Sequence, residues 1–164
     1  MAEDPMERDA AERDAAKPQS RPQSGPEFYV LEEQVGHLLR RAHQRHTAIF
    51  QEKIGDKQLT PLQFAALIKL RDVDEVSQNQ LGRMTAMDAA TMQGVILRLL
   101  ARGLIERRKD PADRRRLQLS LSPMGQSLVD DCAGTGLEIS AETLAPLDPE
   151  DRRLFLGMLS RLSF

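Results

Sequence analysis

Hydrophobic side chains recur every three to four residues between residues 28 and 54. Leu31, Val35, Leu38 and Ile49 belong to this stripe, and the spacing predicts one amphipathic helix that ends at Gly55. Such a helix spans about 40 Å, which is more than a small core requires. We therefore expect it to bury its excess apolar surface against a second subunit.

Two later helices have well-marked starting points in the sequence. Thr60 followed by Pro61 and Gln63 predicts a capping box with a proline in the first helical turn. Ser77 and Gln80 have the same spacing and predict a second capping box, which opens a short helix.

A third such helix is predicted over residues 89–102, with Asp88 as its N-cap and Gly103 as its stop. Only residues 85–87 connect it to the short helix that Ser77 opens. Two short helices joined in this way are typical of a helix-turn-helix, whose second helix reads DNA.

After Gly103 the hydrophobic period changes to two, which predicts strands over residues 104–108 and 117–121. The polar segment between them contains Pro111 and ends in three arginines. A hairpin directly after a helix-turn-helix is a wing. Two further helices are predicted to open at Ser122-Pro123 and at Asp148-Pro149, although Gly134 and Gly136 weaken the middle of the first.

These elements predict a mainly α fold with a small β-hairpin wing, a winged helix-turn-helix. Residues 59–121 form the predicted DNA-binding domain, and residues 27–58 and 122–164 a helical region on either side of it. Residues 1–26 contain four prolines and no aromatic or branched aliphatic residue, so we predict a disordered arm. An inert tail is favoured there over an arm that contacts DNA or a partner.

The charge distribution supports DNA as a partner. The chain has a net charge of −2, but residues 98–116 hold eight basic and three acidic side chains, a net charge of +5 on an otherwise acidic body. There is no long apolar run that predicts a membrane span. The single cysteine, Cys132, favours a reducing cytoplasm.

No sequence motif of an enzyme is present: there is no HExxH, no P-loop, no glycine-rich dinucleotide turn and no nucleophile elbow. The chain is therefore predicted not to be an enzyme and to need no cofactor. A dimeric interaction protein that does not bind DNA is an alternative, but it has no need of the basic segment.

Three stretches of the chain resemble the multiple-antibiotic-resistance regulator (MarR) family. They are LTPLQFAALIKL, SQNQLGRMTAMDAATMQGVILRLL and the segment RLLARGLIERRKDPADRRRLQLSLSPMGQSLV. The resemblance spans about residues 28–162. It implies an obligate dimer built from the N- and C-terminal helices, with residues 27–58 and 122–164 as the dimerisation region, whose repression is relieved by a small ligand. Dimerisation in turn implies a pseudo-palindromic operator.

Within the family, HLLRRAHQRHTAIF and TMQGVI are most similar to regulators of aromatic and N-heteroaromatic catabolism, including repressors of nicotinic acid degradation. This similarity implies a small aromatic carboxylate as effector, with a 6-hydroxynicotinate-like molecule as the specific hypothesis. One departure concerns the recognition helix, where Gln93 and Gly94 replace the Thr-Arg pair that is frequent in the family.

The predicted DNA contacts lie on the outward face of the recognition helix, at the start of the preceding helix and on the wing. Gln93 suits adenine and Thr91 a base or a phosphate, while Gly94 either admits the helix deep into the groove or avoids a clash with the preceding helix. The full predicted set is Ser77, Gln78, Asp88, Ala90, Thr91, Gln93, Gly94, Arg98, Arg114, Arg115 and Arg116.

The predicted effector site is on the first helix, where His43 and His46 share a face close to the helix-turn-helix. Arg40 and Thr47 complete the predicted set. Ordinary interface histidines are an equal alternative, and a metal-sensing pair is a weaker one because no third ligand is evident. A redox sensor is also possible, but Asp130 and Asp131 beside Cys132 favour an inert thiol.

Overall fold

The computed structural model describes residues 29–109 and 117–163. Its helices and strands, in chain order, are α1 Val35–Ile54, α2 Pro61–Val73, β1 Glu75–Ser77, α3 Gln78–Met84, α4 Ala89–Ala101, β2 Ile105–Lys109, β3 Leu117–Leu121, α5 Pro123–Thr143 and α6 Pro149–Ser163. The predicted class, mainly helical with a small hairpin, is confirmed. None of the helices in these two ranges is long and apolar enough to cross a membrane.

The first long helix is shorter than the hydrophobic stripe predicts. A 3₁₀ turn, Leu31–Glu33, precedes it, and Gln34 between the two has extended backbone angles (φ −78°, ψ 133°). The Gln34 side-chain amide donates a hydrogen bond to the Val30 carbonyl at 2.8 Å, which stabilises the break. A helix running continuously from residue 28 is therefore wrong, and the apolar residues before Val35 lie outside α1.

The predicted helix caps form, one of them only in part. Thr60 accepts a bond from the Gln63 N–H, and the Gln63 side chain accepts one from the Thr60 N–H, which completes a capping box. At α3 the Ser77 hydroxyl accepts from the Gln80 N–H, but the reciprocal bond is not among the contacts of the described residues. Asp88 caps α4.

The sheet has three antiparallel strands in the order β1-β3-β2. The wing pairing places Ile105 opposite Leu121 and Lys109 opposite Leu117, one residue later on the first strand than predicted. The sequence pattern missed β1, whose three residues pair with β3 and place Val76 opposite Leu119. Both of these side chains are buried, so β1 joins the wing to the helical core.

The core lies beneath α4. Its side chains Met92, Val95, Ile96 and Leu99 are all buried, as the helical period predicts, and they pack with buried residues of α2, α3 and β3. The connection 85–87 passes from α3 to α4 through Ala86, which has a positive φ of 53°.

The segment directly after α4 is hydrogen-bonded to the elements on either side of it. Arg102, at the C-cap of α4, donates hydrogen bonds to the carbonyls of Lys57 and Gln58 at 2.8 and 2.7 Å. Ser122, at the N-cap of α5, donates to the Gly103 carbonyl at 2.6 Å. Therefore the same short segment after α4 contacts both the α1–α2 connection and the start of α5.

Helices α1 and α5 lie side by side. Lys53 forms an ion pair with Glu142 at 3.0 Å, which raises the pKa of the lysine, and Arg45 donates to the Glu142 carbonyl at 3.1 Å. Farther along, Phe50 meets Phe64 of α2 edge to face with ring centres 5.7 Å apart. Helix α5 is continuous through its glycines, because packing on α1 and α2 supports it.

Candidate nucleic-acid interface and adjoining cleft

The outward face of α4 is formed by small and polar residues. Ala90, Gln93, Leu97 and Arg98 are exposed, while Gly94 is half-buried between them. This face is opposite the buried side of the helix, so core packing leaves it available to a partner. The arrangement suits insertion into a groove, because small side chains permit close approach of the helix.

The start of α4 is ordered by Asp88 and Thr91. One carboxylate oxygen of Asp88 accepts from the Thr91 N–H at 2.8 Å, and the other accepts from the Thr91 hydroxyl at 2.7 Å. The backbone bond and then the hydroxyl bond hold the pKa of Asp88 below its ordinary value of 3.8. Since the Thr91 hydroxyl proton is committed to Asp88, its oxygen is left to accept a hydrogen bond, not to donate one to a phosphate.

Gly94 has no contact with the preceding helix. The three atoms nearest a Cβ built there all belong to the guanidinium of Arg98, the first at 3.4 Å, so the explanation that glycine avoids a clash with that helix is wrong. The close approach occurs at Gly82 instead, where a Cβ would lie 3.1 Å from the Met87 carbonyl oxygen. Gly82 lets the chain turn tightly out of α3.

Helix α3 contributes more to this surface than the sequence analysis indicated. The predicted Ser77 and Gln78 are half-buried, and the Ser77 hydroxyl is used in capping. Asn79 and Arg83 are exposed and share a small cleft with Gln78 and the first residue of α4. Asn79 and Arg83 are four residues apart in a helix whose start is marked by the Ser77 cap, and this spacing could have identified them as one face of α3.

The basic strand β2 forms the edge of the same surface. Arg108 is paired with Glu106 at 2.7 Å, which raises the pKa of the arginine. Arg107 and Lys109 are exposed, and within residues 29–109 and 117–163 neither forms an ion pair. The predicted contacts Arg114, Arg115 and Arg116 lie outside the described residues.

A cleft of about 370 Å³ opens between α1, α5 and α6. Two of the four predicted effector residues, His43 and His46, line it, whereas Arg40 and Thr47 do not. Its walls are mainly apolar and include residues that the sequence analysis missed. The complete lining is Leu39, Ala42, His43, His46, Ser140, Thr143, Leu144, Phe155, Leu156 and Leu159.

The position of this cleft differs from the expected one. It contains no residue of α3 or α4, and so it lies among the terminal helices and not beside the helix-turn-helix. Arg40 is turned along its own helix, with its Nη2 atom 3.4 Å from the His37 Nδ1 atom. The observed position of the cleft differs from the expected one because the helical period shows which residues share a face but not which neighbouring helix that face meets.

The hydrogen bonds of Thr143 indicate which ring nitrogen of His46 carries the proton. The Thr143 hydroxyl donates its only proton to the Ile139 carbonyl at 2.7 Å. Its oxygen lies 3.0 Å from the His46 Nδ1 atom, so it accepts the hydrogen bond and Nδ1 carries the proton. This leaves Nε2 of His46 as the nitrogen that accepts from a ligand when neutral and donates to one when protonated.

Two further sensing chemistries find little support in this geometry. Among the residues that the structure describes, no group of three His, Cys, Asp or Glu side chains is placed to hold a metal ion. The Cys132 side chain is fully buried in the core, where an oxidant has no direct access to it.

Comparison with known proteins points to one family. A model of the MarR family matches residues 57–116. Over 134 residues the chain is 42% identical to the HTH-type transcriptional repressor NicR of Pseudomonas putida, a match that covers 82% of this chain and 85% of NicR.

Two solved structures are similar in both sequence and fold. One, a probable transcriptional regulator from Pseudomonas aeruginosa, is 47% identical with a TM-score of 0.79, covering 81% of this chain and 99% of that one. The other is BpsR of Bordetella bronchiseptica, whose DNA binding is regulated by 6-hydroxynicotinic acid. It is 45% identical with a TM-score of 0.74, covering 80% of this chain and 100% of BpsR.

Proposed function

The chain belongs to the MarR family of transcriptional regulators, and from that premise we propose that it is a repressor that binds double-stranded DNA as a homodimer and is released by a small aromatic acid. The observation that carries the DNA-binding part is the outward face of α4, where small residues surround Gln93 and Arg98 directly opposite a fully buried face. A recognition helix requires this combination of a rigid back and an accessible front.

In the proposed complex α4 enters the major groove with its N-terminal half. Gln93 reads a base edge, and Thr91 accepts a hydrogen bond from a base amino group while Asp88 holds it. Asn79 and Arg83 of α3 and Arg107 of β2 contact phosphates at the edges of the groove. The wing-tip arginines 114–116 are proposed minor-groove and phosphate contacts from their sequence.

The homodimer is supported by apolar side chains on the terminal helices. Leu154, Met158 and Leu162 of α6 are between 50% and 74% exposed in the single chain, and Tyr29, before α1, is 74% exposed. So much exposed apolar surface is typical of an interface. Two recognition helices related by a two-fold axis imply a pseudo-palindromic operator with half-sites about one DNA turn apart.

The effector is proposed to bind in the cleft between α1, α5 and α6. The apolar lining suits a single aromatic ring, and Phe155 offers it an edge or a face. In this proposal Nε2 of His46 donates a hydrogen bond to the carboxylate, with His43 beside it. A 6-hydroxynicotinate-like acid is favoured because BpsR, a 45% identical relative, responds to 6-hydroxynicotinic acid.

Binding of the acid acts by favouring one dimer geometry over another. The cleft joins α1 to α6, the proposed dimerisation helices, and Arg102 links the α1–α2 connection to the end of α4. An effector that binds one arrangement of the terminal helices more tightly shifts the separation of the two recognition helices.

Fluorescence anisotropy tests this proposal directly. The protein is titrated onto the intergenic duplex beside its own gene and onto a shuffled duplex of equal composition, over a series of salt concentrations. We expect tighter binding to the native duplex, a steep salt dependence, and release by 6-hydroxynicotinate but not by cyclohexanecarboxylate. Equal affinity for both duplexes at every salt concentration contradicts the DNA-binding function.

A pair of variants tests the cleft. His46→Ala removes the proposed carboxylate donor, and we expect the 6-hydroxynicotinate concentration for half-release to rise about tenfold, the loss of one charge-assisted hydrogen bond. His37→Ala, on the same helix but outside the cleft, is the control and leaves that concentration unchanged. An equal effect of both variants argues against this cleft as the effector site.

A further inference from the structure

The side chain of Arg98 lies back along α4 over Gly94. A Cβ placed at Gly94 would stand 3.4 Å from Nη2, 3.5 Å from Nη1 and 3.8 Å from Cζ of Arg98. Side chains on a helix lean toward its N-terminus, and residues four apart share a face. The guanidinium therefore lies one turn nearer the start of α4 than its own Cα atom does.

The Arg98 guanidinium has no bonding partner among the residues that the structure describes. Within the parts of the chain that the structure describes, the Arg98 side chain forms no hydrogen bond and no ion pair, and the residue is exposed. Its planar set of N–H donors is thus available on the outward face. Gly94 costs the helix about 1 kcal/mol relative to alanine, and neither core packing nor backbone angle requires a glycine there.

We propose that Arg98 reads a guanine in each operator half-site and that the lack of a long side chain at position 94 determines this specificity by leaving room for the guanidinium. The inference rests on the DNA-binding function proposed above. A guanidinium donates two parallel hydrogen bonds to O6 and N7 of guanine in the major groove. Seated over Gly94, it lies between Ala90 and Leu97 in the middle of the outward face, where base edges are met, and not at its edges, where phosphates are met.

The distances predict which substitutions this arrangement tolerates. An alanine methyl group at position 94 would lie at ordinary van der Waals distance from Arg98, so Gly94→Ala leaves the guanidinium in place. A longer side chain would continue into the space that the guanidinium fills. Gly94→Gln therefore displaces Arg98, although glutamine is a good helix former.

Selection from a library of randomised duplexes measures the base preference of each variant. We expect the wild type to enrich a guanine in each half-site and Gly94→Ala to keep it. Arg98→Lys keeps the charge but lacks the planar fork, and we expect discrimination against adenine at that position to fall about tenfold. We expect Gly94→Gln to lose the same preference at the same position, and circular dichroism melting verifies that each variant is folded.

A double-mutant cycle separates displacement of Arg98 from simple obstruction of the groove. The affinity cost of Gly94→Gln should be much smaller in an Arg98→Ala background, since there is no guanidinium left to displace. An equal cost in both backgrounds, or an Arg98→Lys variant with an unaltered preference, overturns the inference while sequence-specific binding stands. A wild type that enriches no sequence contradicts the proposed function itself.

Discussion

The Asp88 side chain orders the N-terminal turn of α4 through its bonds to Thr91. The Asp88 carboxylate accepts both the N–H and the hydroxyl of Thr91, so it caps α4 and also fixes a residue of the outward face. A negative charge at a helix N-terminus is further stabilised by the helix dipole. The same two bonds therefore contribute to folding and to the preorganisation of the DNA-binding surface.

The lowered pKa of Asp88 predicts a pH-dependent contribution to stability. Its folded-state pKa lies below the 3.8 of the unfolded chain, so the charged carboxylate stabilises the fold above that pH, and this contribution is lost as the pH falls through the folded-state pKa. In urea unfolding, Asp88→Asn should be less stable than the wild type at pH 7, and the difference should shrink below about pH 4.

Ser77→Ala is the matched control for this prediction. It removes the cap of α3, which has no titrating group. The free energy of unfolding that it loses should therefore be the same at pH 7 and below about pH 4. A difference between wild type and Asp88→Asn that does not change with pH would contradict the role assigned to the charge.

At the scale of elements, two glycines of α5 differ in what surrounds them. Gly125, in the first turn, is buried against the carbonyl of Leu104, so that a Cβ there would overlap backbone that cannot move independently of the wing. Gly134, later in the same helix, has no atom within 4 Å of a built Cβ. One glycine is required by packing and the other only lowers helix propensity.

The same substitution at these two positions should therefore have opposite effects. Gly125→Ala forces α5 away from Leu104 and should lower the free energy of unfolding by about 1–3 kcal/mol. Gly134→Ala should stabilise it by up to about 1 kcal/mol through helix propensity. Thermal melting of the two variants measures both, and a Gly125→Ala protein as stable as the wild type would refute the close approach.

At the scale of the whole molecule, the chain divides into a closed core and open terminal helices. Every element from α2 to α5 contributes buried apolar side chains to the core, whereas no residue of α6 among those described is buried. A helix with five large apolar side chains that are 39–74% exposed is stable only if another surface covers it. In the proposed homodimer a second copy supplies that surface and also positions the second recognition helix.

Disruption of this surface should separate the proposed dimer and weaken DNA binding together. Met158→Glu introduces a charge into the exposed apolar face of α6, and we expect the monomer mass by light scattering and at least a tenfold loss of operator affinity, since one half-site replaces two. Arg153→Glu adds the same carboxylate to the polar face and should leave the mass unchanged. A wild type that is monomeric at micromolar concentration contradicts the dimer.

Local patterns in the sequence were sufficient for the helix-turn-helix. Thr60, Ser77 and Asp88 bond to groups within three residues of themselves, and the buried residues of α4 recur with the helical period. Such interactions are encoded in a single turn of chain, so caps, boundaries and faces could be read without knowledge of the fold. The MarR resemblance rests on the same local segments.

The tertiary structure decided everything that depends on distant residues. The bond between His46 and Thr143 joins positions 97 residues apart, and the cleft that they line exists only because α1, α5 and α6 pack together. The three residues of β1 become a strand because β3 offers them a partner, and Gly125 is required because Leu104 comes to rest against it. The sequence by itself determined a recognition helix with a buried and an outward face, since its hydrogen bonds and period are local. Only packing decided that His43 and His46 face α5 and α6, because that arrangement has no energy until the neighbouring helices are in place.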